Sequence, residues 1–380
     1  MHSDLEVQQL LKTDFFSTHF EDVLGEELEV FKNRPKSLIE FIKNSAYFGS
    51  KPYLIFKDKT VSFEEHFELV KGFSNFLNDR YFIQPGDRVA IYAANSIDWI
   101  ISFWSVISLG GIVCALNGWW NGKEAEAAIA DANPKLILVD SKRLERLSNN
   151  YANVINFDEF NFRELIGKAD FRTALISEDD CACLLYTSGT TGSPKGVMTS
   201  HRSMVSNTML QLLQGAAVSS RSTKLGVDWT QHKPTSLLTS PLFHVSGLSA
   251  GAVTALFAGT TTLIYNGRFD PQRILEIIDK YNITSWGGAV PTALKRVLDH
   301  AESLQKTFTS VLVIGGGGAP MPSKHIERTK KVFPNCKHNF GYGYGLTESG
   351  AITIINWGDG LDACPESPGQ AMPTINIELR

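Results

Sequence analysis

The sequence predicts an α/β protein with two doubly wound, mostly parallel sheets, flanking helices and, near its end, the start of a truncated β-rich subdomain. Three observations carry this expectation. Short apolar runs alternate with amphipathic runs twice along the chain, first from Arg88 to Asp140 and again from Thr261 to Gly345. The links between runs are short, as βαβ crossovers require. Glycine clusters follow several of the apolar runs, at the carboxyl ends where such sheets bind ligands.

Residues 1–50 read as a polar, helical leading segment. Ser62 and Glu65 have capping-box spacing before a helix reaching about Asn78. "PGDRVAIYA" (Pro85–Ala93) is a turn and a strand, and Ser96 can cap a helix through "IDWIISFWSVISLG". "GIVCAL" is the next strand, "GKEAEAAIADA" a helix closed by Asn133-Pro134, and "KLILVD" a strand. "SEDD" (Ser177–Asp180) is a polar turn joining the two blocks. Beyond it come the strand "CACLLY", the β-like run "VMTSH" and a helix from His201 capped by Ser200. "TTLIYN", "ITSWGGA", "SVLVIGGGG" and "KHNFGYGYG" are strands. They alternate with the helices "PQRILEIIDKYN", "PTALKRVLDHAE" and "SKHIERTKKVF", the last with Ser323 as cap. "TINIELR" alternates like a β segment at the chain's end. The expected division is 1–50, a first α/β subdomain at 51–175, a second at 176–358 and a β segment at 359–380.

The bulk numbers fit an ordinary globular chain of 380 residues, with 43% hydrophobic and 20% charged residues. A net charge of −4 supplies no basic footprint for nucleic acid. Five cysteines without a regular framework argue against a disulfide scaffold. Cys181 and Cys183, two apart on a strand, read as free thiols rather than a metal site. Trp99–Gly122 carries no charge and is long enough to span a bilayer. Gly110-Gly111 splits it, however, and Asn117 and Asn121 interrupt it, so a buried helix and strand account for it better. A second uncharged run, Pro234–Gly267, is broken by Pro241, His244 and glycines. With no signal-like N-terminus, a soluble cytoplasmic protein without a transmembrane segment is expected.

"YTSGTTGSPKGV" (Tyr186–Val197) joins two apolar, strand-like runs. A Walker loop joins strand to helix and ends in Gly-Lys-Ser/Thr. Here Pro194 precedes Lys195 and Gly196 follows it, which excludes that site. The ingredients still suit a polyphosphate. Gly189 and Gly192 let backbone N–H groups turn inward. Thr187, Ser188, Thr190, Thr191 and Ser193 add hydroxyls, and Lys195 adds a mobile charge. The plain alternative is a surface loop of small residues. "VIGGGGAPM" (Val313–Met321) has more glycines than a tight turn needs. In "GYGYGLTESG" (Gly341–Gly350) the glycines leave the faces of Tyr342 and Tyr344 open for a flat base. Thr347 and Glu348 could hold a phosphate oxygen and a divalent cation. In "SPLFHVSGLSAG", His244 is as readily a core residue as a ligand, and Phe243 and Val245 suit an apolar pocket.

"YTSGTTGSPKGV", "PLFHVSG", "GGGGAPM" and "YGLTE", in this order, resemble the adenylate-forming superfamily over about residues 50–380. "LNGWWNGKEAEAAIADANPKLILVD" looks like its fatty-acyl-CoA synthetase branch. The resemblance implies acyl-AMP formation from ATP and a carboxylic acid, then thioester formation with coenzyme A. It implies that Thr187, Ser188, Gly189, Thr190, Thr191 and Lys195 grip the β- and γ-phosphates. Tyr344, with Tyr342 and Gly343, would stack adenine against Gly317, Gly318 and Ala319. Thr347 would touch the α-phosphate, and Thr190 and Glu348 would serve Mg²⁺. His244 would lie near the acyl carboxylate, with Val245, Trp286, Gly315 and Gly316 bordering the acyl pocket. Lys195, Thr347, Glu348 and His244 are thus the expected catalytic residues. Tyr342 stands where many relatives carry Gln or Asn. Relatives continue into a ribose-binding Asp motif, a hinge and a small domain with a catalytic lysine, so the chain reads as an N-terminal portion that forms little thioester by itself. An acyl-AMP ligase, an amino-acid-activating domain and a non-catalytic nucleotide-binding module are the other readings. The oligomeric state is not legible, and a homodimer is one assembly considered.

Overall fold

The computed structural model describes residues 4–148, 150–167, 170–187 and 194–378. Its backbone divides into a first unit of residues 35–205 and 241–266, and a second of residues 1–34, 206–240 and 267–380.

In the first unit the main sheet runs Lys195–Ser200, Cys181–Thr187, Ile112–Ala115, Arg88–Tyr92, Leu136–Val139, Val154–Asn156. All neighbours are parallel except Lys195–Ser200, which is antiparallel to Cys181–Thr187. Val89, Ala90, Ile91 and Tyr92 have no exposed surface, as expected of a central parallel strand covered on both faces. From Arg88–Tyr92 the chain goes first to one neighbour and then to the other, so the strand order reverses there. A smaller set pairs Pro52–Phe56 with Lys59–Ser62 antiparallel and with Thr261–Ile264 parallel.

Helix Ile97–Ser108 and strand Ile112–Ala115 explain the long uncharged run. Every residue of the helix is buried except Asp98, which is partly exposed. Trp99, Phe103 and Trp104 are wholly enclosed, each contributing about 1.5–3 kcal/mol of apolar burial. The Ser96 hydroxyl accepts from Trp99 N at 3.1 Å and caps the helix. Gly110, at φ 69°, turns the chain where a Cβ would meet the Ile176 side chain at 2.9 Å. Among the described residues no helix is long and apolar enough to cross a membrane. Ser62 caps helix Phe63–Tyr81, accepting from Glu65 N at 3.0 Å. The full reciprocal capping box is found at Asn121 and Glu124, ahead of helix Gly122–Ala132.

The second unit orders its strands Gln370–Ala371, Ala351–Trp357, Phe340–Leu346, Val313–Gly317, Ser285–Ala289, Thr235–Leu238. Thr235–Leu238, Ser285–Ala289, Val313–Gly317 and Phe340–Leu346 are parallel, and the edge pairs beyond are antiparallel. Helices Pro271–Tyr281, Pro291–Ser303 and Ser323–Val332 bury residues at three- and four-residue spacing, such as Leu294, Val297, Leu298 and Ala301.

Four expectations are corrected. The leading segment is not simply helical: after helix Leu5–Leu10 comes a hairpin, Thr18–Val23 with Glu26–Phe31. Leu24 and Gly25, at φ 57° and 91°, form its two-residue turn, the geometry that matches strand twist. The units do not divide at 51–175 and 176–358. Cys181–Thr187 pairs with Ile112–Ala115 and Thr261–Ile264 with Pro52–Phe56, so residues 176–205 and 241–266 join the first unit. The cap of helix Ser323–Val332 is Pro322, not Ser323. "TINIELR" forms no strand through Glu378.

Candidate functional site

The first unit contributes the stem of the glycine run. Cys181–Thr187 and Lys195–Ser200 form an antiparallel pair with Thr187 opposite Lys195 and Gly196 opposite Tyr186. The run therefore connects strand to strand. Ser188, Gly189, Thr190 and Thr191 lie outside the described residues. Lys195 is exposed and Thr187 half-buried. The stem is fixed from below by buried Tyr186, whose hydroxyl donates to Asp131 Oδ2 at 2.9 Å and whose ring meets Trp120 edge-on at 5.8 Å. Burial, with Asp131 alongside, pushes the Tyr186 phenol up, so it stays a donor.

His244, also in the first unit, precedes the short helix Val245–Gly247 and is half-buried, as is Val245. Burial holds its imidazole below the ordinary value, so the ring is neutral at physiological pH, with one nitrogen able to accept and one to donate. A π-helix, Leu248–Thr254, follows directly, a form that recurs at functional sites. The His244 ring packs against Phe243 at 4.8 Å and Trp119 at 6.1 Å, and Trp119 meets Phe243 edge-on at 5.3 Å. Sequence reasoning missed Trp119 as a site residue. Its signal was present in the paired tryptophans of "NGWWNG".

The second unit contributes a glycine-lined sheet edge. Gly315–Gly317 end one strand in register with Gly341–Gly343 of the next. Gly315–Gly317 are half-buried, and Gly318 and Ala319 are exposed. Gly316 sits tightly: a Cβ would come within 2.9 Å of Met321 Cε and 3.1 Å of Ala289 O. Gly318 turns at φ 80°. Trp286 has no exposed surface, and its indole N–H donates to Thr239 Oγ1 at 3.0 Å. Tyr344 is 53% exposed, its ring free, while Thr353 Oγ1 donates to its carbonyl at 3.1 Å. Thr347 is half-buried and Glu348 exposed in the turn that follows.

Two readings of this edge change. Tyr342 is 7% exposed, and its hydroxyl donates to Pro365 O at 2.7 Å and Ser367 O at 2.6 Å. Asn356, paired with it across the strands, donates to Cys364 O at 2.9 Å and Ser367 O at 2.8 Å. The two side chains fasten the turn after residue 363, which leaves the Tyr342 hydroxyl committed to backbone carbonyls. The glycines of "GYGYG" likewise serve packing rather than opening the tyrosine faces. A Cβ on Gly341 would lie 2.9 Å from Trp357 Cβ, and on Gly343 3.1 Å from Ile352 Cγ2. On Gly345 it would lie 1.6 Å from Ala351 O.

Among the described residues no group of three His, Cys, Asp or Glu could hold a metal ion. Glu348 is a single exposed carboxylate. All five cysteines are free. Burial pushes Cys114 up to about 12 and raises Cys183 as well, so these thiols are inert, whereas Cys364 is exposed.

Such a fold, with a strand-to-strand glycine run and a glycine-lined sheet edge, defines the adenylate-forming class. Residues 41–380 match the AMP-binding enzyme family, and the chain belongs to it. It is 27% identical over 327 residues to 4-coumarate-CoA ligase 1 of Narcissus pseudonarcissus, covering 82% of this chain and 57% of the relative. It is 28% identical over 331 residues to peroxisomal OPC-8:0-CoA ligase 1 of Arabidopsis thaliana, with the same 82% and 57% coverage. The chain thus spans little more than half the length of these relatives. In fold it resembles the N-terminal domain of FACL13 from Mycobacterium tuberculosis, with a TM-score of 0.74 at 22% identity, covering 89% of this chain and 83% of that one. A long-chain-fatty-acid-CoA ligase from Archaeoglobus fulgidus gives a TM-score of 0.74 at 23% identity, covering 89% and 70%.

Proposed function

We propose that the chain carries the adenylation core of an ATP-dependent acyl-CoA synthetase acting on a hydrophobic carboxylic acid, a fatty acid foremost. In the first half-reaction a carboxylate oxygen of the acid bonds to the α-phosphorus of ATP. The bond from that phosphorus to the bridging oxygen breaks, and pyrophosphate leaves with the bonding pair. In the second, the sulfur of coenzyme A bonds to the acyl carbon, its proton passes to solvent, and AMP leaves. The leaving pyrophosphate concentrates charge, so donors fixed in advance lower the barrier. Lys195 and Thr187 are assigned that task, with Ser188, Gly189, Thr190 and Thr191 of the same run. Tyr344 and Gly317–Ala319 are assigned the adenine, and Thr347 the α-phosphate. Neutral His244 is assigned the acyl carboxylate, where an uncharged ring can donate without forming an ion pair that resists transfer. Glu348 and Thr190 would hold Mg²⁺, which neutralises phosphate charge when bound.

The observation that most supports this reading is the pairing of Thr187 with Lys195 across the glycine run in a chain that matches the AMP-binding family from residue 41 onward. That the curated relatives quoted above are named CoA ligases favours coenzyme A as the acceptor. A pyrophosphate-release screen tests it, using ATP, Mg²⁺ and a panel of alkanoic, hydroxycinnamic and amino acids, with and without coenzyme A. Release with apolar acids that lack an amine is expected. Release with no acid in the panel would refute the reading, and release with an amino acid alone would make the protein an amino-acid-activating enzyme.

A further inference from the structure

The first unit's main sheet has its own ligand position. In an open α/β sheet the crevice opens outside the carboxyl ends of the strands where the strand order reverses. Here that strand is Arg88–Tyr92, flanked by Ile112–Ala115 and Leu136–Val139. The segments leaving the carboxyl ends of these strands are tied together. Ala94 N donates to Asp140 Oδ2 at 2.9 Å. Leu242 N donates to Asn95 Oδ1 at 2.8 Å, which brings the segment bearing Phe243 and His244 to the same end of the sheet. Gly118 is enclosed there: a Cβ would lie 2.9 Å from Arg143 Nε, 3.0 Å from Ala93 O and 3.3 Å from the Phe243 ring.

What this arrangement displays is an indole. Trp119 is 70% exposed. A single exposed apolar side chain is ordinary on a free loop. This loop is not free. Trp119 N donates to Asn117 Oδ1 at 2.9 Å, and Arg143 Nε and Arg146 Nη1 donate to Gly118 O at 2.9 and 3.1 Å. Arg146 Nη1 and the Tyr92 hydroxyl donate to Trp120 O at 2.8 and 2.7 Å. Arg143 is itself held by Asp140 at 2.7 Å. Two arginines and a buried tyrosine are thus spent on fixing a loop whose tip is a solvent-facing tryptophan, edge-on to Phe243 and beside His244. Fixing an aromatic surface in advance reduces the ordering cost of binding an apolar group.

We propose that Trp119 is a specificity-determining residue: backed by the buried Phe243, its indole forms a rigid aromatic wall at this switch point that receives the apolar body of the carboxylic acid next to His244. The inference rests on the adenylation reading, which places the acid's carboxylate at His244. It adds a contact to the chain's own substrate site and identifies the recognised chemistry as apolar carbon, alkyl or aryl.

Direct calorimetric titration tests it with three probes: AMP, dodecanoyl-sulfamoyl-adenosine and cinnamoyl-sulfamoyl-adenosine, the last two being unreactive stand-ins for acyl-AMP. Trp119→Ala should weaken at least one acylated probe by about tenfold or more, the scale of losing a buried aromatic anchor, while AMP changes by less than about twofold. Trp119→Phe should restore most of the loss. A loss confined to the dodecanoyl probe identifies an alkyl acid, and one confined to the cinnamoyl probe an aryl acid. Because the indole is exposed, the melting temperature should not move, which separates this contact from a folding defect. Unchanged affinity for both acylated probes, or an equal loss for AMP, would overturn the proposal. Failure of the wild-type protein to bind AMP or either analogue would overturn the adenylation reading itself, and this inference with it.

Discussion

Two hairpins in the molecule look alike in sequence and differ in what their glycines do. In Cys181–Thr187 with Lys195–Ser200, Gly196 faces the Tyr186 ring with room for a Cβ at 3.4 Å, an ordinary contact. In Phe340–Leu346 with Ala351–Trp357, the glycines are demanded by close neighbours, side chain and backbone, most severely by backbone at Gly345. This second pair carries a bulge: Tyr344 faces Ile354 while Gly345 faces Ile352, leaving Thr353 as the extra residue. Ala351 takes φ 131° and Gly350 φ 79° in the turn that closes it. Bulges of this kind bend a strand and re-aim its side chains. The difference teaches that glycines in two similar motifs need not share a cause: close approach of a neighbour demands Gly345 and does not demand Gly196, and only geometry separates the two.

The sharpest way to break the comparison is to add one methyl group to each hairpin. Gly345→Ala should destabilise by about 3 kcal/mol or more, because its Cβ would overlap a backbone oxygen. Gly196→Ala should stay within about 0.5 kcal/mol. Urea unfolding of both variants decides it, and equal midpoints would erase the distinction.

Acid should act on the first hairpin's surroundings next. His201 follows strand Lys195–Ser200 directly and accepts from Leu38 N at 3.3 Å, while His66 is fully buried against Tyr53 at 4.8 Å. Burial holds His201 down at about 4 and His66 at about 3, against 6.5 for an ordinary histidine. The unfolded chain therefore takes up protons below pH 6.5 that the folded chain refuses until about pH 4. Stability present above pH 6.5 is lost as pH falls through that window, at up to about 1.4 kcal/mol per pH unit for each histidine. Hydrogen exchange at pH 7 and pH 5 should show the first unit losing protection before the second. Equal loss in both would contradict the assignment.

The smallest effect concerns Tyr342. Tyr342→Phe removes a donor shared by two carbonyls and should cost about 1–2 kcal/mol of stability. Its affinity for AMP should be unchanged, because the hydroxyl already serves the turn after residue 363. A selective loss of AMP affinity without a stability change would return Tyr342 to the adenine.

Much of this molecule was legible in its sequence, and the unreadable parts share one physical cause. Helix Ile97–Ser108, its Ser96 cap and the strand-to-strand setting of the glycine run are set by neighbours in the chain. The unit boundary was not, because Cys181–Thr187 chooses its sheet by pairing with the distant Ile112–Ala115. The N-terminal hairpin, Thr18–Val23 with Glu26–Phe31, was lost for want of an apolar pattern: its strands carry many acidic residues and its turn is Leu24-Gly25 rather than Asn-Gly. Tyr342 was misread because its partners, Pro365 and Ser367, lie 23 and 25 residues on. Trp119 escaped because its fixity comes from Arg143 and Arg146, whose polar side chains give no sign in sequence of where they point.

The central claim is that Lys195 holds the leaving group of an adenylation. Acid-dependent ATP–pyrophosphate exchange, measured on the wild-type protein and on Lys195→Ala at matched melting temperature, tests it most directly. The account predicts exchange with an apolar acid that falls by roughly 10²–10³-fold in the variant, the scale of losing one preorganised charge contact. Exchange at the wild-type rate in Lys195→Ala would contradict it.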